Sequence, residues 1–178
     1  CLTNDHVISE HPEPYKLNRP LAPDDAVVRF TLSTDKNREY DVKSVLWSSP
    51  YDAHDTCLFE LKQSPPVERS KLTPVRRLPP APADPAANVF VISHPNSDEP
   101  SYSFQNTNLL MHDAAMRGDA TLGPGYLHYS TGTIKGSSGG VALNGQLGMI
   151  GLHHAGGNEM RRIDGKPGVH AANEAVWI

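Results

Sequence analysis

Gly136-Ser137-Ser138-Gly139-Gly140 lies between two runs that read as strands, Leu127 to Ile134 before it and Val141-Ala142-Leu143 with Leu147 to Leu152 after it. Three glycines around a serine at the mouth of a strand are poor core material. Glycine is used where the chain must turn sharply or let another group come close. A serine held in such a turn exposes its hydroxyl and sits among backbone N–H groups. Those are the two requirements of acyl transfer, a nucleophile and donors for the oxyanion formed when it attacks. A Gly/Ser-rich linker would read the same way over five residues, so the rest of the chain decides.

Working outward, the sequence is that of many short strands joined by turns. The chain has 178 residues, 16 prolines and 14 glycines, with little helical periodicity. Strands are expected over Val27–Leu32, Tyr40–Trp47, Thr56–Leu61, Val89–Ser93, Ser101–Phe104, Tyr126–Ile134, Leu147–His154 and Val169–Ile178. Asp35-Lys36-Asn37, Gly123-Pro124-Gly125 and Ala155-Gly156-Gly157 read as turns, and residues 108–118 fit either a short helix or a strand and loop. Residues 64–88 hold seven prolines and mark the one shift in composition. They read as a stiff extended connection. The expected organisation is therefore 1–63, a connection over 64–88, and 89–178.

Charge and cysteine usage narrow the function. A formal net charge of −4 argues against nucleic acid or an anionic membrane as partner, since both want a basic face. No apolar run approaches the ~20 residues of a membrane span, and no signal-peptide pattern opens the chain. Cys1 and Cys57 are too few for a disulfide framework. Read as reduced thiols, they favour a reducing compartment, cytoplasmic over secreted. Nine histidines are present, yet neither His-Glu-x-x-His nor Cys-x-x-Cys occurs, and adjacent His153 and His154 on a strand face opposite ways. No metal and no cofactor are expected.

Two further residue types complete the chemistry. His6 follows an apolar strand end, and Asp55 abuts the apolar run Thr56-Cys57-Leu58-Phe59-Glu60-Leu61. Asp52 reads as a solvated turn residue instead. His6, Asp55 and Ser138 then form a set in which the serine attacks a carbonyl, the histidine takes its proton, and the aspartate orients and stabilises the imidazole.

At these residues the chain resembles a family. Leu2-Thr3-Asn4-Asp5-His6-Val7-Ile8 is similar to the Thr-Asn-x-His-Val strand end of bacterial trypsin-like peptidases of the chymotrypsin fold. Asp55–Leu61 resembles their aspartate-plus-strand segment, and Val91-Ile92-Ser93-His94-Pro95 a strand early in their second lobe. Gly136–Gly140 matches their Gly-x-Ser-Gly-Gly loop, and Ile150–His154 and Ala171–Val176 resemble their last strands. The resemblance implies an all-β fold of two six-stranded antiparallel barrels, with the backbone N–H groups of Gly136 and Ser138 as oxyanion hole. The substrate would be a peptide bond in a protein, bound as an extended strand in a cleft between barrels. Only five residues precede His6 and no helix follows Val176, so the expectation is a piece of a longer protein with an incomplete N-terminal barrel, accompanied by further domains or subunits. Glutamyl endopeptidases are similar around Thr133 and His153; there the matching threonine and histidine bind an acidic side chain, with Ile134 and His154 adjoining.

Three other readings compete. Gly-x-Ser-x-Gly also marks the nucleophile elbow of α/β-hydrolases, with Asp164 and His170 following the serine, but the alternating strand–helix pattern is missing. A metal site lacks its spacing. A peptide-binding module on the same fold, inactive or awaiting activation by a partner, is the main alternative.

Overall fold

The computed structural model describes residues 1–11, 19–30, 39–65, 87–97, 99–113 and 125–178. The chain divides into two compact units, Cys1–Lys71 and Leu72–Ile178. The division falls inside the proline-rich stretch, of which residues 66–86 lie outside the described part. Among the described residues there is no α-helix, and eleven strands account for the regular structure. Among the described residues no helix is long and apolar enough to cross a membrane.

The first unit holds β1 (Leu2–Thr3), β2 (Val27–Arg29), β3 (Glu39–Ser49) and β4 (Thr56–Leu61) in one antiparallel sheet of order β1-β4-β3-β2. In β3 the alternation Tyr40 buried, Asp41 exposed, Val42 buried is the period-two signature of a half-buried strand. Ile8, Ala26, Val42, Cys57 and Phe59 make the core on its inner face. Two register shifts in the β3–β4 ladder bend the sheet. Among the described residues the result is an open half-barrel.

The second unit holds β5 (Val89–Ser93), β6 (Ser101–Ser103), β7 (Leu109–His112), β8 (Tyr126–Tyr129), β9 (Val141–Asn144), β10 (Met149–Arg161) and β11 (Val169–Trp177). Their order is β6-β5-β9-β10-β11-β8-β7. The far edge returns to the near one: Asn88 bridges Asn108, Val89 N–H donates to Thr107 O at 2.6 Å, and Leu109 N–H to Ala87 O at 2.9 Å. Residues 101–112 thus act as one bent strand, β6 and then β7. Both halves lie along β5, and the six resulting runs close into a barrel. Val89, Val91, Leu109, Leu127, Tyr129, Ala142, Ile150 and Ala175 fill its interior. Closure removes the open edges of most of the sheet.

The structure departs from the sequence expectations at two places. The run after Tyr129 leaves the ladder, so 130–134 is extended chain and not strand. Ala155-Gly156-Gly157 is no turn; β10 runs through it to Arg161, with bulges on either side. The glycine there serves close approach: a Cβ on Gly156 would stand 1.9 Å from Asn173 Oδ1 of the paired strand. Residues 109–112 of the ambiguous stretch are strand. The expected turns at 35–37 and 123–124 lie outside the described residues.

Candidate active site

In the first unit the chain leaves β1 and turns at Asp5–Val7, which presents His6 half-buried. Asp55 comes at the entrance of β4 and is fully buried. Its carboxylate makes two bonds to one residue: Oδ2 lies 2.7 Å from His6 Nδ1, and Oδ1 accepts the His6 backbone N–H at 3.1 Å. A carboxylate accepts and does not donate. Nδ1 therefore carries the hydrogen, and the lone pair of the neutral ring sits on Nε2. The aspartate is itself held at both ends. Its N–H donates to Pro50 O at 2.9 Å, and its carbonyl accepts from Asn4 Nδ2 at 2.9 Å. It adopts φ 43°, a left-handed conformation that aspartate tolerates better than most residues. Buried Asn4 thus completes the site; the Thr-Asn-x-His motif contains it, but only the fold shows its role. Tyr51 stands edge-on to the His6 ring at 6.0 Å. Asp52 is exposed, in keeping with its reading as a turn residue.

In the second unit the serine loop joins the extended segment after β8 to β9. Gly136 has φ 90° and Gly139 φ 81°. A Cβ on Gly136 would come within 2.5 Å of the Asn96 nitrogen, so a backbone sits where any side chain would go. The two serines differ. Ser137 is buried and its hydroxyl accepts from Ser93 Oγ at 3.2 Å, whereas Ser138 is half-exposed. The loop is stitched to β10: Gly139 N–H donates to His153 O at 3.0 Å, and His153 N–H to Gly140 O at 2.8 Å. A turn closed by Ser137 N–H on Ile134 O at 3.1 Å orients the approach.

A family model described as trypsin-like peptidase domain matches residues 1–152. The chain belongs to this family. Half-barrel and barrel are accordingly a chymotrypsin-like fold with an incomplete N-terminal barrel. A search of curated proteins finds no match. Membership of the trypsin-like peptidase family sets aside the α/β-hydrolase order. Asp164 is ion-paired with Arg162, and His170 lies against His128.

The remaining sequence-predicted residues of this trypsin-like domain lie behind and beside the serine loop. Thr133 Oγ1 donates to Asn173 Oδ1 at 2.8 Å, and Asn173 Nδ2 donates to Thr131 O at 2.6 Å. Ile134 is exposed. His153 Nδ1 lies 2.7 Å from the Tyr129 hydroxyl, inside the barrel. His154 faces the other way: its Nε2 is 2.8 Å from Glu174 Oε1, and its ring stacks on Tyr126. Glu174 Oε2 is 2.7 Å from His128 Nε2, and His128 Nδ1 is 2.8 Å from His170 Nε2. Burial would raise the Glu174 carboxyl, but the bonds from His128 and His154 outweigh it and bring the group to about 2. Burial, with His128 and Arg162 nearby, lowers His170. Tyr129, Asn173 and Glu174 escaped the sequence reading. Their signal was a polar residue at a core position of an apolar strand, which is informative only once its partner strand is known.

Among the described residues no cluster of three or more His, Cys, Asp or Glu side chains is arranged to hold a metal ion. Cys1 is exposed and Cys57 buried, and both are free thiols. Burial, followed by the charges of Asp5 and Glu10, pushes Cys57 up to about 11.

Proposed function

We propose that this trypsin-like peptidase domain is a serine endopeptidase acting through Ser138, His6 and Asp55. The observation that carries the reading is the buried Asp55 carboxylate, which holds His6 by ring and backbone together. That arrangement costs a desolvated charge and a left-handed aspartate, and it turns the Nε2 lone pair to base catalysis.

In the reaction Ser138 Oγ attacks the scissile carbonyl carbon while its proton passes to His6 Nε2. Asp55 stabilises the resulting imidazolium. The tetrahedral oxyanion accepts hydrogen bonds from the N–H groups of Gly136 and Ser138. Collapse breaks the C–N bond, and His6 Nε2–H protonates the departing amine. Water then adds to the acyl-enzyme with His6 again as base, releasing the acid and restoring the serine. The peptide binds extended, and the side chain before the scissile bond enters a pocket bordered by Thr133, Ile134 and His153, while His154 is turned away to Glu174 and Tyr126. The motifs around that pocket suggest an acidic side chain.

A fluorophosphonate probe tests the nucleophile. Covalent labelling at Ser138, absent from Ser138→Ala and suppressed in His6→Ala, is expected. An unlabelled chain that still binds peptides would leave a peptide-binding module in place of an enzyme.

A further inference from the structure

Resting on the peptidase reading of the serine loop, we infer that Asn96, in the turn just past β5, is a positioning residue for catalysis. Its backbone N–H holds the Lys135 carbonyl, and that bond aims the Gly136 N–H as a donor to the oxyanion.

Ser137 N–H donates to Ile134 O at 3.1 Å and closes a four-residue turn with Lys135 and Gly136 at its centre. Gly136 has φ 90°, whereas Lys135 is not in the positive-φ region. A turn with positive φ at its third residue alone is type II. Types I and II keep the same closing bond and differ in the central peptide, which is turned over by about 180°. Here that peptide is Lys135–Gly136. Its C=O and N–H point opposite ways, because the bond is planar and trans. The turn type therefore decides which of the two, the Lys135 oxygen or the Gly136 hydrogen, points away from β5.

The chain past β5 selects between them. It continues through Pro95–Ser97, where Asn96 adopts φ 56° and ψ 21°. Asn96 N–H donates to Lys135 O at 3.3 Å. The carbonyl is thus turned in, and the Gly136 N–H points the other way; among the described residues it meets no acceptor. The fit is close, since the Asn96 nitrogen stands 2.5 Å from where a Gly136 Cβ would be. In a type I turn the Lys135 oxygen would replace the Gly136 hydrogen and repel an oxyanion instead of binding it. A left-handed φ is uncommon outside glycine, and asparagine tolerates it better than most residues. At exposed Asn96 that conformation presents the N–H to Lys135.

The rest of the loop is anchored without Asn96. Ser137 O accepts from Gly140 N–H at 2.9 Å, which fixes the following peptide and the direction of the Ser138 N–H with it. Ser93 Oγ donates to Ser137 Oγ at 3.2 Å, and a Cβ on Gly140 would stand 2.8 Å from Ser93 Cβ. Loss of the Asn96 bond therefore frees one peptide and leaves Ser138 in place.

Two variants separate backbone geometry from side chain. A β-branched residue is an outlier at positive φ, so Asn96→Val withdraws the N–H from Lys135. Glycine takes φ 56° without strain, so Asn96→Gly keeps it. With the best substrate from a peptide library, Asn96→Val is expected to lower kcat by on the order of 10², the scale of one lost oxyanion donor. KM should not change, and Asn96→Gly should rescue kcat. The matching peptidyl aldehyde gives a second reading. Ser138 Oγ adds to its carbon, the C=O π pair moves to oxygen, and the serine proton passes to His6. Its affinity should fall in Asn96→Val by a similar factor, while the product-like peptide binds both variants alike. A general loosening of the loop would weaken both ligands and raise KM, and that result overturns the inference. So does an unchanged kcat in Asn96→Val, or an Asn96→Gly as impaired as Asn96→Val, which would assign the effect to the side chain. The carbon-13 shift of the Lys135 carbonyl reads the turn without turnover. It should move in Asn96→Val and stay in Asn96→Gly; a shift unmoved in both overturns the assignment. Fluorophosphonate labelling keeps the two readings apart. A parent protein labelled at Ser138, with normal turnover in Asn96→Val, removes this inference alone. A parent protein that is never labelled removes the peptidase reading and this inference with it.

Discussion

Asp55 is the residue on which the most rests. It is buried without exposure, bonded by side chain to His6 and by backbone to Pro50 and Asn4. Asp55→Asn keeps the shape but replaces one acceptor oxygen with a donor, which favours the wrong imidazole tautomer. The expected loss of kcat is on the order of 10⁴, as for the corresponding change in an analogous triad. Asp52→Asn, at an exposed position, is expected to leave kcat unchanged. A larger loss at Asp52 than at Asp55 would show that the acid had been misassigned. Gly136 is the second such residue. Alanine there meets both a left-handed φ and the Asn96 backbone, so Gly136→Ala should lower stability by roughly 1–3 kcal/mol. Urea unfolding with labelling of Ser138 would register both the loss of stability and the loss of reactivity. The triad candidates and the serine loop were legible in sequence only as a set with their flanking motifs, because glycine, serine and aspartate at strand ends are also ordinary turn residues. Asn4 was not, since a buried asparagine in sequence looks the same as an exposed one.

Among the elements, β10 and β11 make the most extensive ladder of the barrel and carry a buried hydrogen-bonded chain across it. Glu174 on β11 accepts from His154 on β10 and His128 on β8. Its folded value of about 2 lies below the ordinary value of 4.5, so the unfolded chain binds its proton first. The stabilisation is fully present above about 4.5 and is lost as pH falls towards about 2. A difference of that size corresponds to about 3 kcal/mol at neutral pH. Glu174→Gln is therefore expected to lower the urea midpoint at neutral pH, with the gap to the parent protein closing in the acid range. A gap constant with pH would mean that the carboxylate charge is not what the two imidazoles stabilise. Leu127 on β8, wholly buried within the barrel, serves as the apolar counterpart. Leu127→Ala should cost about 2–5 kcal/mol irrespective of pH. Strand existence was read from alternation for most elements. The course of β10 through Ala155-Gly156-Gly157 was not, because a glycine that makes room for Asn173, as Gly156 does, is indistinguishable in sequence from one that makes a turn.

At the scale of the whole molecule the chain is two compact units, with His6 and Asp55 in the first and Ser138 in the second. The two cysteines report on the first unit. Exposed Cys1 should react with a thiol reagent at once, and Cys57, buried and raised to about 11, only as that unit unfolds. Two fast thiols in native buffer would contradict the core assigned to β4. By itself the sequence determined the all-β class, the strand-end placement of the three candidate catalytic side chains, and the trypsin-like family. Those follow from local pattern: period-two alternation, turn residues, and motifs a few residues long. Only the tertiary structure decided which partners Thr133 and His153 meet, that β6 and β7 close the barrel against β5, and that His154 faces Glu174 and Tyr126. Each of these depends on a partner far away in sequence. The direction of a hydrogen bond is a property of the pair, and no stretch of chain contains both members.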